Sequence, residues 1–445
     1  MKIEGKLWPV CGLYAVLWVC VTGVAAWRMP LFYSVAGVSF GIFFVSDFLI
    51  WRQYCRIRKR ESKPVGARAS MVHFFSLLPV LLLVVLLCFR DLYQWPAFWR
   101  TYLLGGIAVL YLLKILFAVL WFMMRRKAEW VPFLLVFCVF LTLLYAMVIS
   151  TFNVRIDKVD MRRANPERPV PAGLRGYRIL QISDLHIGSF TSVKQIRRLV
   201  SQALQTQPDM VVFTGDMVNF SSAEVDPFVC ELMHLQAPDG VYCILGNHDY
   251  GGYVAWKDTA ARHADMQKLL QHYRRLNWTC LNNAAVKIER GGDTLLLAGV
   301  ENWGKGKRFP KKGDLAVALA PASLIEKRPS RSLPPVAAAV SEGDGSGKLP
   351  RTYTVLLSHD PSHFDSVVYL RYPQVDLTLS GHTHGMQMGV RINGRDYSPA
   401  RWVYEHYSGL YRMANGQALY VNTGCGFNGI PFRLGIRPSL TLFQF

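Results

Sequence analysis

The sequence predicts an α/β domain carried behind an all-α transmembrane bundle of about five helices, and three features predict it. Residues 7–152 hold five apolar stretches, residues 177–445 alternate β-rich runs with helical ones, and a Pro- and Arg-rich segment, 153–176, separates them. The chain has 445 residues, 51% of them hydrophobic, and 50 Lys and Arg against 30 Asp and Glu give a formal charge of +20. So many apolar residues exclude a disordered chain, and 9 cysteines are too few for a disulfide scaffold of this length. Greasy and basic residues prove to be segregated along the chain.

The apolar stretches run over 7–27, 31–51, 71–89, 102–124 and 130–152. Each is close to the roughly 20 residues a helix needs to cross a bilayer core. The first has no A-x-A-like exit and a second follows at once, so it is expected to be retained rather than cleaved. Trp8, Trp27, Trp51, Trp121 and Trp130 sit near the expected helix ends, where amphipathic rings favour the interface. The basic loop from Arg52 onward (Arg56, Arg58, Lys59, Arg60, Lys63, Arg68) and the run Arg125, Arg126, Lys127 read as cytoplasmic, with Lys2 and Lys6. With five crossings, a multi-pass protein results whose C-terminal domain lies on the non-cytoplasmic side. Arg155, Lys158, Arg162, Arg163 and Arg168 pull the other way. Asp47 and Lys114 lie within apolar stretches, where an ionisable group marks a pathway, faces a neighbouring helix or reaches the interface.

After the 153–176 linker come buried-type strand runs at 177–183, 209–214, 240–245, 353–357 and 375–379. Helical runs fit at 192–205, 226–234 and 258–276, which sets the class as α/β. Runs at 285–289 and 294–300 flank Arg290, Gly291, Gly292 and Asp293 and read as a hairpin. Residues 305–350, rich in Lys, Pro, Ala, Gly and Ser, read as an insertion, and 341–347 is assigned no structure. Cys230, Cys243, Cys280 and Cys425 show no paired spacing, so free thiols and one or two bridges both stay open.

Chemistry stands immediately after each strand. The exits carry Asp184 and His186; Asp216; Asn247, His248 and Asp249; His359; and His382 and His384. Strand ends in open α/β sheets border the ligand crevice, so groups distant in sequence can converge there. Residues two apart in extended backbone share a side, which would let Asp184 pair with His186 and His382 with His384 on one ion. Any one D-x-H or G-D is weak, since strands often end in polar turns and a lone histidine is more often a bystander. Five in order are hard to produce by chance. Oxygen and imidazole donors without a thiol suit Mn, Fe, Zn or Co.

The ordered blocks D-x-H, G-D, G-N-H-D, H and G-H-x-H resemble those of the calcineurin-like metallophosphoesterases, from about Tyr177 to the C-terminus with 305–350 outside. The resemblance implies an αββα sandwich around two divalent metal ions. It implies that Asp184, His186 and His384 hold one ion, that Asn247, His359 and His382 hold the other, and that Asp216 bridges them. His248 would act as acid or charge stabiliser beside the phosphate, with Asp249 orienting it.

The function expected is a membrane-anchored, dinuclear metal-dependent phosphoesterase acting on phosphate ester or pyrophosphate bonds. A basic, membrane-tethered protein favours anionic substrates near that surface, so a lipid-linked substrate such as a UDP-diacylglucosamine-like molecule is attractive. The alternatives are a metal-dependent nuclease and a membrane sensor or channel with an accessory phosphoesterase fold. Five apolar helices argue against nucleic acid as partner, and no protein partner is indicated. His234, His263, His272, His363 and His406 read as surface or supporting residues. The run 420–427 could shape the pocket or end a core strand. Trp402, Tyr404, Tyr407 and Tyr411 read as packing, or as an aromatic wall for a lipid or sugar.

Overall fold

The computed structural model describes residues 4–28, 33–60, 62, 78, 82, 95, 97–124, 130–306, 309–325 and 351–445. It divides into two compact units, Met1–Tyr145 and Ala146–Phe445.

Four of the five apolar stretches form helices: α1 (Glu4–Arg28), α2 (Tyr33–Arg60), α3 (Ala97–Met124) and α4 (Trp130–Val148). The stretch 71–89 lies outside the described residues apart from Leu78 and Leu82. Among the described residues two segments, Thr101–Trp121 and Trp130–Phe152, are long and apolar enough to cross a membrane, and Gly12–Val24 is a shorter apolar one. The basic segment expected as a loop from Arg52 instead continues α2 to Arg60. Arg and Lys are good helix formers, and the Arg58, Lys59 and Arg60 cations suit the negative C-terminal end. Tyr14, Val21, Phe44, Ile107 and Tyr111 pack together in this unit. The Lys114 ammonium pairs with the buried Asp47 carboxylate, so the two ionisable groups of the apolar stretches answer each other.

Among the described residues the second unit holds two six-stranded sheets. In the first the order is β1 (Arg155–Asp160), β14 (Ser439–Gln444), β2 (Arg178–Ile182), β3 (Met210–Phe213), β4 (Val241–Cys243) and β5 (Trp278–Cys280). In the second it is β12 (Gly409–Arg412), β13 (Ala418–Val421), β9 (Leu377–Ser380), β8 (Thr352–Leu357), β7 (Asp293–Gly299) and β6 (Ala284–Arg290). A two-stranded ribbon, β10 (Val390–Ile392) with β11 (Arg395–Tyr397), stands apart.

Alternation along the strands builds the layers. Ile179, Met210 and Val212 face a core shared with Leu295, Val355 and Leu377 of the other sheet. Their neighbours Leu180, Val211 and Phe213 face the outer layer. Helix α5 (Val193–Gln205) covers that face with Ile196, Leu199, Val200 and Ala203, the i, i+3, i+4, i+7 stripe of an amphipathic helix. Ser192 and Gln195 close its N-terminus as a reciprocal capping box. The expected helix near 226–234 shrinks to α6 (Val229–Leu232), while α7 (Thr259–Arg275) is capped by Asp258. Phe364 and Val368 cover the second sheet from outside. The result is an αββα sandwich. Gln181 links the sheets by donating through Nε2 to Thr214 Oγ1 at 3.0 Å and to Ser380 O at 2.9 Å.

The 285–300 hairpin forms as expected, with Gly291 and Gly292 at φ +57° and +77° in its turn. The linker reading is corrected. Arg155–Asp160 forms an edge strand parallel to β14, although its charged residues suggest a solvated tether. An edge strand tolerates such residues because one side of it is unpaired, and here Asp157 and Arg155 find partners on the β10–β11 ribbon.

Candidate metal centre

The ligand-type residues of all five blocks meet at the strand exits, by a backbone route that the two-residue spacing did not reveal. Asp184, His186, Asp216, His382 and His384 all have positive φ, between 42° and 70°. The expected extended D-x-H and H-x-H geometry is therefore corrected: each pair sits in left-handed turns. Left-handed backbone is uncommon for residues with a Cβ, and such strain collects at functional sites. Tight glycines make room. A Cβ on Gly381 would lie 2.0 Å from Ser183 Oγ and 2.2 Å from Asp184 Oδ2, and one on Gly246 would lie 2.2 Å from Asp216 Oδ1.

Among the described residues three overlapping clusters result: Asp184, His186 and His384; His186, Asp216 and His248; and Asp216, His359 and His382. His186 Nε2 and His384 Nε2 are 3.0 Å apart, and His384 Nε2 is 3.4 Å from Asp184 Oδ1. Asp216 Oδ2 lies 3.5 Å from His186 Nε2 and 3.2 Å from His359 Nε2. His359 Nδ1 donates to the Thr214 carbonyl at 2.7 Å, so Nε2 is the nitrogen that faces Asp216 and Asn247 Oδ1, the latter at 3.2 Å, and it becomes a ligand when its proton leaves. Imidazole nitrogens and carboxylate oxygens converging in a dry pocket suit a bound cation, and this donor set fits divalent ions bound by nitrogen and oxygen.

The electrostatics agree. Burial, then the neighbouring His248, lowers the His186 pKa to about 3, which leaves its ring neutral and able to ligate. Burial and the adjacent His186 likewise hold His384 well below the ordinary histidine range. Burial alone would lower His359, but the Asp216 carboxylate reverses this and raises it to about 10.

The residues beside the ligands refine the expectations. Asp249 does not orient the His248 ring. Its carboxylate accepts from the backbone N–H of Asp216, Met217, Val218 and Gly246, locking the two ligand loops together. His248 Nδ1 instead donates to the Asn219 carbonyl at 2.8 Å, Asn428 Nδ2 lies 3.1 Å from its Nε2, and the Tyr253 ring stacks on it. Tyr404 does reach the site, its hydroxyl 3.0 Å from His382 Nε2, whereas the Tyr407 and Tyr411 hydroxyls bond to backbone and Trp402 is exposed. The insertion is not wholly outside: Phe309 packs edge-on against His382, while 326–350 lies beyond the described residues. The run after β13 does shape the pocket, since Cys425 and Gly426 donate to the Ser183 and Asp184 carbonyls.

Arg433 went unnoticed in the sequence. Fully buried, it donates to the Gly424 and Gly426 carbonyls and lies 3.2 Å from His384 Nδ1. A lone arginine in a loop carries no spacing signal that would have revealed it. His272, His363 and His406 bind Asp226, Ser358 and Asp365, and His234 and His263 are exposed, all as supporting or surface residues. Cys230, Cys243, Cys280 and Cys425 are free thiols.

Residues 177–386 match the family model for calcineurin-like phosphoesterases. The chain is 28% identical over 276 residues to an uncharacterized metallophosphoesterase of Bacillus subtilis, YkuE, covering 62% of this chain and 80% of that one. It is 27% identical over 282 residues to a transmembrane protein with metallophosphoesterase domain of Danio rerio, covering 62% of this chain but 54% of the relative. It is 29% identical over 244 residues to the UDP-2,3-diacylglucosamine pyrophosphatase LpxG of Chlamydia muridarum, covering 49% and 67%. The chain carries a calcineurin-like metallophosphoesterase domain and is a metal-dependent phosphoric ester hydrolase with two divalent metal ions.

Proposed function

We propose that this chain is a multi-pass membrane phosphoesterase whose substrate is a lipid-linked phosphate ester or pyrophosphate. The observation that carries the catalytic half is Asp216 Oδ2, which stands within 3.5 Å of a histidine nitrogen in each of two ligand triads. Asp184, His186 and His384 would hold one ion, Asn247, His359 and His382 the second, and Asp216 both. When bound, such ions supply an activated water and positive charge for the phosphoryl oxygens. His248, held through Nδ1 by Asn219, presents Nε2 to the same pocket, where an imidazolium would stabilise charge or release a proton to the leaving oxygen. Asp249 supports this indirectly, by bonding the backbone of the Asp216 loop.

Asp216→Asn should lose bound metal and turnover together, whereas His248→Ala should keep metal and lose about 10²–10⁴-fold in rate. Bound metal and hydrolysis of bis-p-nitrophenyl phosphate with added manganese read both, and ordinary turnover by Asp216→Asn would overturn the assignment. The lipid half is supported by the apolar helices and by the similarity to LpxG. A panel of phosphomonoesters, diesters, UDP-diacylglucosamine, phosphopeptides and DNA tests it, and salt-sensitive DNA cleavage without lipid hydrolysis would reverse it. A reporter fused after Phe445 tests the non-cytoplasmic placement.

A further inference from the structure

The β10–β11 ribbon is built inside out for a water-facing hairpin. Its register pairs Val390 with Tyr397, Arg391 with Asp396 and Ile392 with Arg395, and facing residues share a side of a ribbon. The Arg391 and Asp396 side is tied down: Asp396 Oδ2 is 3.3 Å from Arg155 Nη2, and Arg391 Nη2 is 3.2 Å from Asp157 Oδ1. The other side presents Val390, Ile392 and Tyr397 at 55%, 53% and 45% exposure, and the following turn adds Trp402 at 80% and Val403 at 63%. Arg395 and Arg401 are exposed among them. Apolar and aromatic side chains mixed with cations are the composition of a surface that lies in a lipid headgroup region.

The place of the ribbon selects that partner over another. Its anchors Arg155 and Asp157 belong to β1, which starts three residues after Phe152, the end of the membrane-length segment Trp130–Phe152. Three residues reach at most about 10 Å. The same junction touches the metal-site loop. Ala146 O accepts from Arg433 N at 3.2 Å, and Asn153 O accepts from Arg437 Nε at 3.0 Å. Arg433 in turn reaches His384, and Asn428 reaches His248.

We propose that the exposed face of β10–β11, with Trp402 and Val403, rests in the interface of an anionic bilayer and holds the metal centre at headgroup level. The delivery of lipid phosphate to the site rests on the substrate reading above; the docking does not. The full chain is tested in nanodiscs of phosphatidylcholine with phosphatidylglycerol. The emission that Trp402→Phe removes isolates that one ring. Quenching of this component by brominated acyl chains is expected. Quenching by aqueous iodide instead overturns the proposal, as does protection from both by self-association, which assigns the face to a second copy. In the double variant Val390→Asp with Ile392→Asp, the ratio of turnover on nanodisc-held UDP-diacylglucosamine to that on bis-p-nitrophenyl phosphate should fall about tenfold. An unchanged ratio overturns the delivery role. A wild-type chain inactive on the lipid would defeat the substrate reading alone, because the quenching still decides the docking.

Discussion

His359 and Asp216 share a charge pair that metal loading must change. The His359 imidazolium, opposed by burial but favoured more strongly by Asp216, is held at about 10 against an ordinary 6.5. A raised value means the pair stabilises the ion-free fold fully below about pH 6.5 and that this contribution is lost as pH rises through about 10. A ligand nitrogen must be neutral, so binding releases the proton, and apparent manganese affinity should rise about tenfold per pH unit between neutrality and that value. Calorimetry in buffers of different ionisation enthalpy counts the protons released at pH 7. A release near zero would contradict the His359 role. At this scale residue types were legible: every ligand-type residue chosen from the sequence reaches the cluster. What they do beyond ligation was less so, as Asp249 shows, because a carboxylate in a G-N-H-D block can bond to a ring or to backbone and only position decides.

Elements hold the ligands through turns that leave no room for a Cβ. Gly381→Ala should push its methyl group into Ser183 and the Asp184 carboxylate and displace the His382 loop. We expect a loss of about 1–3 kcal/mol, typical of overpacking, with reduced bound metal and an unchanged far-UV spectrum. Thermal unfolding with and without manganese measures both. Arg433→Met keeps the bulk but leaves the Gly424 and Gly426 carbonyls short of a donor, at a cost of about 1–3 kcal/mol. Because Asn428 lies in the same loop, this variant should also lower turnover. Strands β2, β3, β4, β6, β7, β8 and β9 and the long helices α5 and α7 were legible from the pattern of apolar residues. The left-handed turns at Asp184, His186, Asp216, His382 and His384 were not, since these residue types favour other backbone and only the packed site compensates the strain.

For the whole molecule the decisive strand is the last. β14 runs parallel to β1 and antiparallel to β2, so among the described residues it is the strand that joins Arg155–Asp160 to the first sheet. Deleting Ser439–Gln444 should strip both neighbours of their partner and bare Leu180 and Ile179, giving a protein that is cut by protease without added denaturant. Survival of the protected domain would show that β1 is only a tether. The apolar helices were legible because a run of some 20 greasy residues is a local property. The membership of β1 in a sheet was not, because its partner lies at the opposite end of the domain.

Residue chemistry and short-range periodicity, both readable along the chain, determined the α/β class, the strand exits and the inventory of nitrogen and oxygen donors. Folding decided the rest: which oxygen is shared by two triads, which buried arginine braces them, and which ribbon is tied to the first edge strand. Those depend on atoms brought within a few ångströms from distant positions, where long-range packing and desolvation, rather than the identity of neighbouring residues, set the energy.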